Sequence, residues 1–137
     1  MAKRLLFIVL VVCCTTLAFA GCKKGVPVQN QSSPIPLQQQ VSDKKIAEAI
    51  MRAGARTNWE IYPAGHRTMT ATLYSRAHTA MVTITYDDSN YYIRYKNSTN
   101  LKYKDGYIHP NYNKWVSTLD RNIRRELAAL SLQGATP

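Results

Sequence analysis

The residue whose position says most in this 137-residue chain is Cys22. It follows a short basic start, Lys3-Arg4, and an apolar stretch from Leu5 to Ala20 broken only by Thr15 and Thr16. The run Ala18-Phe19-Ala20-Gly21, mostly small residues, leads directly into the thiol. A basic start, an apolar middle and a small-residue junction are the layout of a secretory signal peptide. Reactive side chains elsewhere show no pattern of this kind. His66, His78 and His109 have no second His or carboxylate three or four residues on, so no local metal motif is present. The eight acids are Asp43, Glu48, Glu60, Asp87, Asp88, Asp105, Asp120 and Glu126. Asp87-Asp88 reads as part of a hairpin turn, because no calcium-loop pattern follows it. No G-x-S-x-G, S-x-x-K or phosphate-binding loop occurs. The sequence therefore marks no catalytic residue, metal ligand or cofactor site, and the chain is expected not to be an enzyme.

Phe19-Ala20-Gly21-Cys22 resembles the lipobox of bacterial lipoproteins, with Phe19 standing where that family usually carries Leu, Val or Ile. The resemblance implies that the Cys22 thiol carries a diacylglyceryl group and that cleavage before it makes Cys22 the first mature residue. Lys23 follows the cysteine, and in Gram-negative lipoproteins a residue other than Asp there implies export to the outer membrane. Two other outcomes compete. Ala18-Phe19-Ala20 is also an A-x-A site, which would release a soluble protein beginning at Gly21. An uncleaved anchor is the third, although the apolar stretch falls short of the ~20 residues that span a bilayer comfortably. A lone Cys near a mature N-terminus in an oxidising compartment is better explained by lipidation than by ordinary cleavage.

With residues 1–21 removed, enough chain remains for one domain of ordinary size. Cys13 and Cys14 leave with the signal, so nothing beyond Cys22 can form a disulfide, a Cys-based zinc site or a Cys nucleophile. The formal charge of +10 falls by two as Lys3 and Arg4 are lost. In the cytoplasm such a balance, interleaved with nine Tyr, would suggest nucleic acid. A secretory signal excludes that partner and leaves the anionic lipids and polymers of the envelope, or a plain solubilising surface.

Residues 22–41 are rich in Pro, Gln, Ser and Asn and contain no aromatic, which predicts a disordered tether. A domain is expected over 42–132, followed by a frayed tail at 133–137. Ser42 and Asp43 suit a helix start, and Ile46, Ala49, Ile50 and Ala53 form one apolar stripe with Gly54 as a stop. The period then becomes two. Trp59 and Ile61, then Met69, Ala71 and Leu73, then Ala80, Val82, Ile84 and Tyr86, then Tyr91, Ile93 and Tyr95 alternate with polar neighbours. A final helix from about Asn111 to Leu130 carries the stripe Tyr112, Trp115, Val116, Leu119, Ile123, Leu127 and Leu130. The expected fold is an α+β two-layer sandwich, a four-stranded antiparallel meander flanked by an N-terminal and a C-terminal helix, with Trp59 and Trp115 as core anchors.

Val82-Thr83-Ile84-Thr85-Tyr86, Tyr92-Ile93-Arg94-Tyr95, Asn100-Leu101-Lys102-Tyr103 and the stretch from Ile108-His109 to Trp115-Val116 resemble the body of a group of small, uncharacterised bacterial lipoproteins. That resemblance implies the same fold and an envelope location, and it carries no site residues. Within the domain, alternation places Tyr92, Arg94 and Lys96 on the open sheet face, with Lys102 and Lys104 following. Tyr and Arg suit binding surfaces, so these five residues form the candidate binding face. The expectation is a non-enzymatic binding or structural module. It is tied to the periplasmic side of the outer membrane through lipidated Cys22, and its partner is an anionic envelope component or an envelope protein. The alternative is a soluble periplasmic or secreted enzyme in which His and acidic residues converge.

Overall fold

The period-two segments pair in the order in which the chain presents them. In a computed structural model that describes residues 25–36 and 41–133, the elements are β1 (Val26–Pro27), β2 (Gln31–Pro34), α1 (Asp43–Arg56), β3 (Trp59–Gly65), β4 (Thr68–Ser75), β5 (His78–Tyr86), β6 (Asn90–Thr99), β7 (Tyr107–Ile108) and α2 (Pro110–Gln133). The signal segment, Cys22, Lys23, Lys24 and the tail at 134–137 lie outside the described residues. The main sheet is antiparallel and five-stranded, in the order β2-β6-β5-β4-β3. Both helices cover one of its faces and pack against each other, giving an α+β architecture of two layers.

The expected meander is present as β3 to β6, but the sheet does not end there. Gln31–Pro34 adds a fifth strand along β6, with Gln31 opposite Ile93 and Pro34 opposite Asn90. Val26–Pro27 pairs with Tyr107–Ile108 in a separate two-stranded ribbon. The expectation of a disordered tether over 22–41 is therefore wrong for residues 25–36, and the folded unit starts well before Ser42. Specific non-local bonds supply what this segment's composition lacks. The Asn113 side chain accepts from the Gln29 N–H at 3.0 Å and donates to the Pro27 carbonyl at 2.9 Å. The Val28 N–H donates to the Gly106 carbonyl, the Ile35 N–H donates to the Ser89 carbonyl, and the Ile35 side chain is buried. Gly25 runs so close to β7 that a Cβ there would sit 2.8 Å from the Ile108 carbonyl oxygen, closer than such atoms approach.

The covered face is filled as alternation requires. Ile61, Ala71, Val82 and Tyr95 stand in one row across four strands. Pro63, Met69, Ile84 and Ile93 stand in the next. Ile46, Ala49, Ile50 and Ala53 of α1 and Val116, Leu119, Ile123 and Leu127 of α2 close over them. Gly54 does not stop α1, which continues to Arg56, where Thr57 ends it by donating its hydroxyl to the Ala53 carbonyl at 2.9 Å. Gly54 is needed for approach instead, since a Cβ would meet the Ile61 side chain at 2.5 Å and the Trp59 carbonyl at 3.0 Å.

One charged group sits inside this layer. Asp120 of α2 is 4% exposed and binds three partners. Tyr91 of β6 donates its hydroxyl at 2.6 Å, Ser33 of β2 donates at 3.0 Å, and Arg124 pairs with the second carboxylate oxygen at 2.9 Å. A buried carboxylate is tolerated only when paired and hydrogen-bonded in this way. It fastens β2 and β6 to α2. Burial, and next the bond to the Asp120 carboxylate, push the Tyr91 phenol well above its ordinary range.

Candidate functional site

The uncovered face of the sheet is built from the residues that alternate out of the core. Tyr62, Thr70, Thr83 and Arg94 form one row across β3, β4, β5 and β6. Glu60, Thr72, Met81 and Asn97 form the row on one side of it, and Thr68, Thr85, Tyr92 and Ser32 the row on the other. Strands ~4.8 Å apart give each row a width of about 14 Å. The middle of the face is thus a field of threonine hydroxyls, with Tyr62 at one margin and the Tyr92–Arg94 pair at the other.

The register places Tyr92, Arg94 and Lys96 on this face, as expected. The Tyr92 hydroxyl donates to Asp87 at 3.2 Å, which fixes the ring and raises the phenol's pKa, while the Arg94 guanidinium carbon lies 5.3 Å from the ring centroid. Such stacking holds the guanidinium's plane while its N–H edge stays available. Lys96 is the extra residue of a β-bulge, since Val82 faces Tyr95 and Met81 faces Asn97. Bulges redirect side chains, and here the Lys96 ammonium reaches across β5 to donate to the Thr70 hydroxyl at 3.1 Å.

Four of the eight described arginines are paired with acids, and Arg94 and Lys96 belong with the cations that are not. Arg52 and Arg56 both bind Glu126, Arg67 binds Asp43 and Asp88, and Arg124 binds Asp120. Among the described residues, neither Arg94 nor Lys96 has a carboxylate within ion-pair distance. The row of Arg94 holds no acid; Glu60 stands in the next row on edge strand β3, and Asp87 is bonded to the hydroxyl of the Tyr92 ring on which Arg94 lies.

Lys102 and Lys104 do not join this face. After β6 the chain turns back toward the helix layer. Leu101 is buried, and the Tyr103 ring stacks at 4.3 Å on Tyr95, whose other neighbour is Tyr112 of α2. The two lysines flank Tyr103 in this irregular stretch, outside the strand rows that make the face. The expectation that all five residues share one face is therefore corrected: Tyr92, Arg94 and Lys96 lie on it, and Lys102 and Lys104 come after the strand ends at Thr99.

Sequence reasoning also missed a pocket. Trp59 is 3% exposed, as a core anchor should be, but Trp115 is only half-buried. Together they line an open pocket of about 350 Å³ with Arg56, Asn58, Tyr74 and Thr118. The helical stripe placed Trp115 on the core side of α2, but nothing in it showed that the sheet ends before covering the ring. His78 and His109 do meet, with rings stacked 6.3 Å apart, while His66 stays in its turn. One ring nitrogen of each is engaged by backbone: His78 Nδ1 with the Asn100 carbonyl at 3.0 Å, and His109 Nδ1, which accepts from the Asn111 N–H at 3.2 Å at the start of α2. Among the described residues no three His, Cys, Asp or Glu side chains gather as a metal site, and no described helix is long and apolar enough to cross a membrane. No protein-family model, curated protein or solved structure matches the chain.

Proposed function

We propose that this chain is a lipid-anchored envelope protein, held by diacylglyceryl-modified Cys22, whose domain binds an anionic envelope component through its open sheet face and catalyses no reaction. The observation that carries the binding half is the juxtaposition on the open face. The Arg94 guanidinium carbon lies 5.3 Å from the Tyr92 ring centroid, Lys96 stands beside it, neither cation has a carboxylate within ion-pair distance among the described residues, and threonine hydroxyls fill the rows next to them. A stacked guanidinium grips a phosphate or carboxylate bidentately, the neighbouring ammonium adds a point charge, and the threonines hydrogen-bond to sugar or phosphate oxygens. The signal-like N-terminus and the lipobox-like Phe19-Ala20-Gly21-Cys22 support the anchoring half. In a Gram-negative cell this reading places the domain on the periplasmic side of the outer membrane.

Feeding cells a palmitate analogue tests the anchor. The wild-type chain is expected to be labelled and Cys22→Ser is not. Equal labelling of both, or of neither, rules out lipidation at Cys22. Cosedimentation of the mature protein with lipopolysaccharide and with peptidoglycan tests the partner. Binding is expected to at least one fraction at low salt, and its absence from both would leave the face as solvated surface.

A further inference from the structure

Resting on the lipidation of Cys22, a second inference concerns how the domain meets its membrane. Gly25 follows Cys22 by three positions, with Lys23 and Lys24 between them, and the chain is part of the fold from Val26 onward, where β1 pairs with β7. A span of three residues reaches at most ~11 Å. Asn113 clamps the segment on both sides of Val28, so the described chain is fixed to α2 within a few residues of Gly25. A lipid on Cys22 therefore holds the β1–β7 ribbon at the bilayer surface, and whatever stands beside that ribbon meets the headgroups.

What stands there suits them. Tyr107 of β7 is 51% exposed and Tyr103 is 46% exposed, two of the large aromatics that the domain leaves uncovered. Lys102 and Lys104 are exposed on either side of Tyr103, against one acid, Asp105, at the tip of the turn. The hairpin is rigid. Lys104 and Tyr107 exchange backbone hydrogen bonds at 2.9 Å in both directions across Asp105–Gly106, and the Tyr103 ring is stacked on Tyr95. Tyrosine rings settle at the level of the headgroups, and lysines beside them are attracted to anionic lipid.

We propose that the hairpin from Lys102 to Tyr107 is a membrane-docking edge, seated on the anionic phospholipid surface of the bilayer that holds Cys22. The opposite end of β6, at the Asp87–Ser89 turn, then points away. A ten-residue strand of ~3.4 Å per residue separates the two ends by roughly 30 Å.

Nitroxide labelling of the lipidated full-length mature protein in phosphatidylethanolamine/phosphatidylglycerol vesicles tests this. Lipidation occupies Cys22, so Tyr107→Cys and Ser89→Cys each present one free thiol. Lys104→Cys provides a second docking-edge site should the Tyr107 change weaken docking. Mass measurement of the N-terminal peptide comes first. Labels at 107 and 104 are expected to collide several-fold less with a water-soluble nickel complex than the label at 89. Adding Lys102→Glu to the Tyr107→Cys protein is expected to restore much of that collision. A lipidated protein whose labels at 107 and 104 are as accessible as that at 89 overturns the docking edge and leaves the anchor standing. A protein without lipid on Cys22 overturns both.

Discussion

The two faces of the sheet use polar chemistry in opposite ways. On the covered face the buried carboxylate of Asp120 is saturated by Tyr91, Ser33 and Arg124, and no buried side-chain polar atom among the described residues lacks a partner. On the open face Arg94 and Lys96 are held by a ring and a hydroxyl rather than by an acid. Satisfied polar groups fix which elements pack together, here β2 and β6 on α2. Cations left without carboxylates contribute little to the fold and remain available to a ligand. Stability and binding should therefore separate along this division.

The largest effect is expected on the covered face. Trp59→Ala should lower unfolding free energy by ~3–5 kcal/mol, the range for a large buried aromatic. Tyr62→Ala, three residues along β3 and outward, should stay within ~0.5 kcal/mol. Chemical denaturation of the two variants reads this directly, and similar losses would erase the distinction between the faces. Trp115→Ala should fall between them, because its ring is only half-covered.

Asp120→Ala comes next, at ~2–4 kcal/mol, since the Tyr91 and Ser33 hydroxyls lose their shared acceptor inside the protein. The same variant should expose the β2 segment to early proteolysis. A loss under ~0.5 kcal/mol, the level of an ordinary surface change, would mean that the carboxylate does not fasten β2.

A smaller effect is expected at the rim. The hydrogen bond from Arg67 holds the Asp43 carboxyl below the usual carboxylate range. The backbone N–H groups of Ser89 and Asn90 do the same for Asp87. A carboxyl with a depressed folded pKa stabilises the fold above its unfolded value, and that stability is lost as pH falls through the folded one. Melting temperature should therefore hold near neutrality and decline below pH about 4. Arg67→Ala should make the decline shallower by returning Asp43 toward its ordinary value. An unchanged slope would show that the ion pair is not formed in solution.

How far the sequence disclosed these faces depended on how local the cause was. Tyr91, Ile93 and Tyr95 could be assigned inward, and Tyr92, Arg94 and Lys96 outward, because strand alternation is a property of consecutive residues. The α1 stripe and the Asp105–Gly106 turn were legible for the same reason. β1 and β2 were not. Their residues, Pro, Gln, Ser and Asn among them, look like linker until Asn113, Ser89 and Asp120, each more than fifty positions away, supply their hydrogen bonds. Lys102 and Lys104 were grouped with Arg94 because sequence nearness was extended past the end of a strand, where the Tyr103–Tyr95 stack turns the chain toward the other face. The pocket between Trp59 and Trp115 depends on where the sheet stops, which periodicity does not encode.

The division between the faces can be tested most directly at two adjacent residues that point in opposite directions. Arg94→Ala and Tyr95→Ala should be measured in parallel with the mature wild-type protein, for thermal midpoint and for salt-dependent binding to the envelope fraction that retains the protein. Arg94→Ala should keep its midpoint and lose binding. Wild-type binding should weaken as salt shortens the Debye length from ~10 Å at 0.1 M toward ~3 Å at 1 M. Tyr95→Ala should lower the midpoint, because its ring lies between Tyr103 and Tyr112. A destabilised Arg94→Ala, or one that binds as wild type does at every salt concentration, would contradict the assignment of the open face to ligand binding.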